Sequence, residues 1–140
     1  MEPLDQLYRE IIIDHSRQPH NYGLLSGSAL QLEGFNPLCG DRFTVYVDLD
    51  GVIVRDIKFN GQGCAISTAS TSIMTDIVKG REVADILQLA ERFKQLATSG
   101  VSDASLGKAA VFAGVAEFPM RVKCATLSWH TLRRLLERVS

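Results

Sequence analysis

The chain has 140 residues, 46% of them hydrophobic, and a formal net charge of -1. That size predicts one substantial core in a single domain, 1–140, and the interspersed charges exclude the one-sided positive field on which nucleic-acid binding depends. The longest apolar run near the N-terminus, Ile11 to Ile13, is too short to span a bilayer and follows no basic leader, and three cysteines leave one over from any pairing; a soluble, reduced, cytoplasmic protein with no membrane partner is expected.

Leu4, Leu7, Tyr8, Ile11 and Ile12 recur at helical spacing behind Pro3, which predicts an amphipathic helix over Leu4–Ser16. Pro19, Asn21, Gly23 and Gly27 make Gln18–Ser28 a loop, leading into a strand near Ala29–Phe35. Phe43, Val45, Val47 and Leu49 alternate with Thr44, Tyr46 and Asp48, and Asp50-Gly51 turns the chain into the β-rich stretch Val52–Phe59, so three antiparallel strands are expected. Gly61 and Gly63 end the last strand. Ile66, Ala69, Ile73, Met74, Ile77 and Val78 then switch to helical period, with Gly80 as the expected C-cap. A helix follows over Val83–Leu96 on the stripe Val83, Ile86, Leu87, Ala90, Phe93 and Leu96, then a loop over Thr98–Asp103. Leu106–Ala116 reads as helical, Phe118-Pro119 breaks it, and a last helix covers Met120–Val139. Its stripe, Val122, Ala125, Trp129, Leu132, Leu136 and Val139, leaves Arg121, Cys124 and Ser128 on an adjacent face. The expected class is α+β, a small three-stranded antiparallel sheet packed against several helices.

The cysteines fall in three blocks, Asn36-Pro37-Leu38-Cys39-Gly40-Asp41, Gly61-Gln62-Gly63-Cys64-Ala65 and Arg121-Val122-Lys123-Cys124-Ala125, each where a loop meets an ordered element. With Asp41 as a fourth, oxygen ligand they make a tetrahedral metal or cluster site. Cys64 and Cys124 are both expected at helix N-termini, where free backbone N–H groups favour thiolates, and Lys123 and Arg121 add positive charge. The separations, 24 residues between Cys39 and Cys64 and 59 between Cys64 and Cys124, mean that only a folded domain gathers these ligands. Thiolates suit zinc and iron-sulfur chemistry, and one carboxylate makes the set more exchangeable than an all-sulfur cage. The competing readings are plain burial of three apolar thiols and plain turn chemistry. His15, His20 and His130 are too widely spaced for an obvious cluster, Trp129 reads as core, and the Ser67–Ser72 hydroxyls have no neighbouring base.

Taken together, Asn36-Pro37-x-Cys39-Gly40-Asp41, Gly61-x-Gly63-Cys64-Ala65-Ile66-Ser67 and Arg121-x-Lys123-Cys124-Ala125-x-Leu127-x-Trp129 resemble the U-type iron-sulfur cluster assembly proteins, and the SufU branch in particular. Asp14-His15, Pro19, Asn21 and Gly23 extend the resemblance over nearly the whole chain. It implies the SufE/IscU-like fold, an antiparallel sheet packed by helices, with Cys39, Cys64 and Cys124 as functional cysteines and Asp41 as the aspartate ligand. Lys123 stands where the IscU branch has a His, and Glu117–Lys123 departs from the segment by which that branch recruits its chaperone.

The SufU resemblance implies a protein that binds zinc, at Cys39, Asp41, Cys64 and Cys124, and accepts persulfide sulfur from a SufS-type cysteine desulfurase. It would stimulate that enzyme without turnover of its own and pass sulfur on to a downstream cluster scaffold or apo iron-sulfur proteins. Cys39, on the turn expected to be the most exposed and mobile, is the sulfur acceptor under this reading, and Arg121 and Lys123 hold the partner. The alternative within the family is a scaffold that builds a transient, labile 2Fe-2S cluster on the same ligands. Outside it stand a structural zinc module with inert thiols and, without a Cys-x-x-Cys pair, a redox switch.

Overall fold

Alternation builds the sheet. The computed structural model describes residues 3–25 and 30–139, with side chains from residue 9 onward, and within them Leu30–Asn36 (β1), Asp41–Asp50 (β2) and Ile53–Gln62 (β3) pair antiparallel in the order β1-β2-β3. Val45 stands opposite both Leu32 and Phe59, and this register puts Phe43, Val45, Val47, Val54, Ile57 and Phe59 on one buried face. A bulge at Asp48/Leu49 shifts the pairing of β2 with β3 towards the Gly51 turn.

Among the described residues four α-helices, Pro3–Arg17 (α1), Ala65–Val78 (α2), Val83–Ser99 (α3) and Pro119–Glu137 (α4), join the sheet with a 3-10 run over Ala104–Val115. Helix α4 lies against β1 and β2, with α2 and α3 alongside it. Its close approach to β1 depends on Gly34, because a Cβ there would collide with the Thr131 hydroxyl. Under the helices, Trp129 stacks on Phe93 at 5.0 Å between centroids and Phe112 meets Phe93 edge-on at 5.9 Å. No helix among the described residues is long and apolar enough to cross a membrane.

Helix α2 is buried along a polar side. Ser70 Oγ donates to the Ala125 carbonyl at 2.5 Å, Thr71 and Ser128 share a short hydroxyl bond, and Ser72 Oγ meets His15 Nδ1 at 2.7 Å. Each hydroxyl thereby replaces its bond to water with one across a helix interface.

Several boundaries differ from the sequence expectation. Strand β3 runs past Phe59 and through Gly61, because β2 still offers Phe43 and Arg42 as partners there. Helix α2 is capped at Lys79, whose N–H donates to Thr75 O, and Gly80 follows in the left-handed region. Helix α3 continues to Ser99 because Gly100 supplies the left-handed cap one turn later than Leu96, so Thr98 and Ser99 are helical. The segment expected as a helix over Leu106–Ala116 is a tighter 3-10 run broken at Gly107, φ 55°. Helix α4 ends at Glu137, and Val139 lies exposed beyond it. The side chains of Leu4, Leu7 and Tyr8, and the loop-to-strand boundary at residues 26–29, lie outside the described residues.

Candidate metal centre

Three elements deliver the cysteines. Residues 37–40 turn β1 into β2, with the Asn36 carbonyl accepting from Gly40 N at 2.8 Å and from Cys39 N at 3.3 Å, Asn36 Oδ1 accepting from Leu38 N at 3.2 Å, and Gly40 at φ +73°. This leaves Cys39 exposed on the turn and makes Asp41 the first residue of β2, paired with Asn36. Cys64 is the N-cap of α2: its sulfur accepts from Ser67 N at 3.4 Å and lies 3.5 Å from Ser67 Oγ. Cys124 points inward from α4 and is buried.

Cys124 departs from its expected place. Pro119, which has no N–H, opens α4, and Val122 N already donates to the Phe118 carbonyl at 3.0 Å, so the free N–H groups of the first turn belong to Met120 and Arg121 and Cys124 falls in the second turn. Burial first, then contacts with Cys39, Asp41 and Cys64, hold its thiol well above the ordinary value, and no cation is among these causes. Lys123 and Arg121 are exposed beside it, and the Arg121 guanidinium sits over the Phe118 ring at 4.4 Å.

Asp41 joins the three blocks. Its carboxylate is fully buried, and Oδ1 accepts from Cys64 N at 2.9 Å, tying the start of β2 to the start of α2. Gly63 makes room for this bond: a Cβ at that position would stand 2.6 Å from both Asp41 Oδ1 and Ser67 Oγ. Oδ2 of Asp41 is buried with no hydrogen-bond partner among the described residues. Beside it, Cys124 Sγ donates to Cys39 Sγ at 3.2 Å, and ligand atoms of Cys39, Asp41 and Cys124 lie within 4.8 Å of one another.

An ion would supply what this arrangement lacks. A buried carboxylate oxygen without a donor is costly, and two thiols with a carboxylate form a donor set suited to zinc. The structure thus gathers three of the four expected ligands. The fourth, Cys64, contributes to the Cys124 shift but is turned to cap α2.

The sequence reading missed two features. Asn36, read only as a turn residue, is buried and organises the Cys39 loop through its carbonyl and side chain. The histidines set aside as too far apart do form a cluster: the loop after α1 folds back on α2, bringing the His15 and His20 rings to 4.4 Å and His20 Nδ1 to 2.5 Å from Asp76 Oδ2. Asp76, 56 positions beyond His20, gives no sequence signal of this. His130 is exposed on α4.

Comparison with known proteins places this geometry in context. The family profile described as NifU-like N terminal domain matches residues 7–125. The chain is 43% identical to the iron-sulfur cluster assembly scaffold protein IscU of Streptococcus pyogenes serotype M1, over 99% of this chain and 87% of that protein. It is 44% identical to the zinc-dependent sulfurtransferase SufU of Bacillus subtilis strain 168, over 94% and 90%. A crystal structure from Fervidobacterium islandicum AW-1, provisionally named an iron-sulfur cluster assembly scaffold protein for the SUF system, superposes with a TM-score of 0.80 at 34% identity, covering 94% of this chain and 97% of that one.

Proposed function

Because the chain belongs to the NifU-like N-terminal domain family, we propose that it works in iron-sulfur cluster assembly as a zinc-bound sulfur acceptor for a SufS-type cysteine desulfurase. The observation that carries this reading is the buried, unpartnered Asp41 Oδ2 beside the Cys39 and Cys124 thiols. Cys39, Asp41 and Cys124 would hold the ion, with Cys64 completing the set after turning from its cap. Bound zinc supplies charge that keeps the thiols ionised at neutral pH.

The chain's own residues account for the transfer. Cys39 and Cys64 are both exposed, but Cys64 Sγ is engaged in capping α2, which leaves Cys39, on its turn, as the thiol open to an incoming persulfide. Its thiolate attacks the outer sulfur of the donor's cysteine persulfide; a new S–S bond forms on Cys39, the donor's S–S bond breaks, and the donor cysteine leaves as thiolate. Cys124, buried behind Cys39, is shielded from the same attack. Exposed Arg121 and Lys123, at the start of α4, flank the approach and suit an acidic partner surface. Sulfur would then pass to a downstream scaffold or apo-protein.

The likeness to the streptococcal IscU favours a second reading, in which the same ligands carry a labile 2Fe-2S cluster as cargo. Metal and acid-labile sulfide content of protein purified without oxygen separates the two. About one zinc per chain and no sulfide supports the relay; iron with sulfide and visible colour supports the scaffold. Full persulfide transfer to a folded Cys39→Ala variant would refute the acceptor assignment.

A further inference from the structure

We propose that His15, His20 and Asp76 form a second site, for a divalent transition-metal ion of the zinc class, where the end of α1 and the loop after it pack on α2. Each residue offers a ligand atom within 4.8 Å of the other two. Two imidazoles and a carboxylate are the donor set of zinc and its neighbours, whereas calcium and magnesium take oxygen ligands.

The surroundings orient these donors. His15 Nδ1 is bonded to Ser72 Oγ at 2.7 Å, which leaves Nε2 as the nitrogen of that ring with no hydrogen bond among the described residues, while His20 Nδ1 and Asp76 Oδ2 face each other at 2.5 Å, so an ion there would take the place of the proton they share. His15 is held as metal-binding histidines are, one nitrogen fixed by a hydroxyl and the other left for the ion. Ser72 Oγ also accepts from His20 N at 2.8 Å; a hydroxyl accepts two bonds, so His15 can carry its proton on Nδ1 and leave Nε2 free. The carboxylate is fixed in turn, with Asp76 Oδ1 accepting from Asn21 Nδ2 at 3.0 Å. Asn21 is the one non-glycine among the described residues at positive φ, 55°, and its carbonyl accepts from Phe59 N at 3.1 Å, which anchors the loop to β3.

Both rings border one surface cleft, with Asp14, Arg17, Gln18 and Lys108 around it, so water has access to complete the coordination. Burial keeps His15 below the ordinary imidazole value, so it is neutral and ready to bind at pH 7. Lys108 and Arg17 oppose a cation while Asp76 and Asp14 attract one, which gives an exchangeable site weaker than the cysteine centre.

The test counts zinc on the untagged full chain, pre-loaded with zinc and then titrated with zinc alone by calorimetry, for the native protein, His20→Ala and Asp76→Asn. His20 is half exposed, so its loss spares the core; circular dichroism of each variant checks the fold. The expected result is one equivalent fewer for His20→Ala than for the native chain, and at least tenfold weaker binding of that equivalent in Asp76→Asn. With cobalt as the probe, the additional equivalent should bring no thiolate-to-metal charge-transfer band. Equal stoichiometry in native protein and His20→Ala, or an additional equivalent that shows thiolate charge transfer, would overturn the proposal. The count is a difference between variants, so it holds whatever the cysteine centre carries.

Discussion

Aspartate and asparagine differ by a charge and almost nothing else in shape, which makes Asp41 the position for the sharpest residue-level test. The amide of an Asp41→Asn variant keeps a carbonyl to accept from Cys64 N, so the substitution should change the unfolding free energy read from urea melts by no more than about 1 kcal/mol. Zinc affinity should fall at least tenfold, about 1.4 kcal/mol, in competition with a chromophoric chelator. A second residue-level prediction concerns His15. Burial, with His20 and Lys108, lowers its folded-state value below 6.5 against the opposing pull of Asp76 and Asp14. The unfolded chain therefore binds more protons between the folded value and 6.5, and stability should fall as pH drops through that window and then level off. Urea midpoints over roughly pH 5 to 8 should show this slope, and His15→Gln should flatten it. At this scale the sequence identified Cys39, Cys64, Cys124 and Asp41 as candidates, since thiols beside glycines and a carboxylate are chemically conspicuous. It hid the His15–Asp76 cluster, because the loop that folds His20 onto α2 has no periodicity to read.

Among the elements, the sheet was legible and the inner face of α2 was not. Phe43, Val45 and Val47, and Ile57 and Phe59, alternate because one side of the sheet is core and the other faces out. In α2 the hydroxyls of Ser67, Ser70, Thr71, Ser72 and Thr75 are just as buried; Ser67, Thr71 and Thr75 bond carbonyls one turn back, while Ser70, Thr71 and Ser72 also find partners on α4 and α1 that sequence spacing cannot show. Helix ends moved for the same reason: Pro119 marks the start of α4 plainly, yet its effect was to move Cys124 away from the first turn. The β3–α2 junction is the element-level test. Adding a methyl in Gly63→Ala must displace Asp41, Ser67 or the Phe43 ring, 2.9 Å from the built Cβ, and should cost about 1–3 kcal/mol of stability. The same displacement should weaken zinc binding, and titration beside a thermal melt reads both effects on one sample.

For the whole molecule, the cysteine centre acts as a clasp between the β1–β2 turn, the start of α2 and the early turns of α4. An ion bound there holds together three stretches far apart in the chain, so saturation to a hundred times its Kd should stabilise the protein by about 2.7 kcal/mol, raising Tm by roughly 5–10 °C. Calorimetry with and without a chelator measures it, and coincident melts would show that the native state holds no such ion. The burial of Cys124 on α4 also has a consequence for synthesis on the ribosome. Until α4 emerges and covers Gly34, a nascent chain carries Cys39 and Cys64 but lacks the third thiol and the helix that shields the site. Under the proposed function, metal capture by this centre would therefore wait for α4, and a product truncated before Pro119 should not compete for zinc with copies that carry that helix.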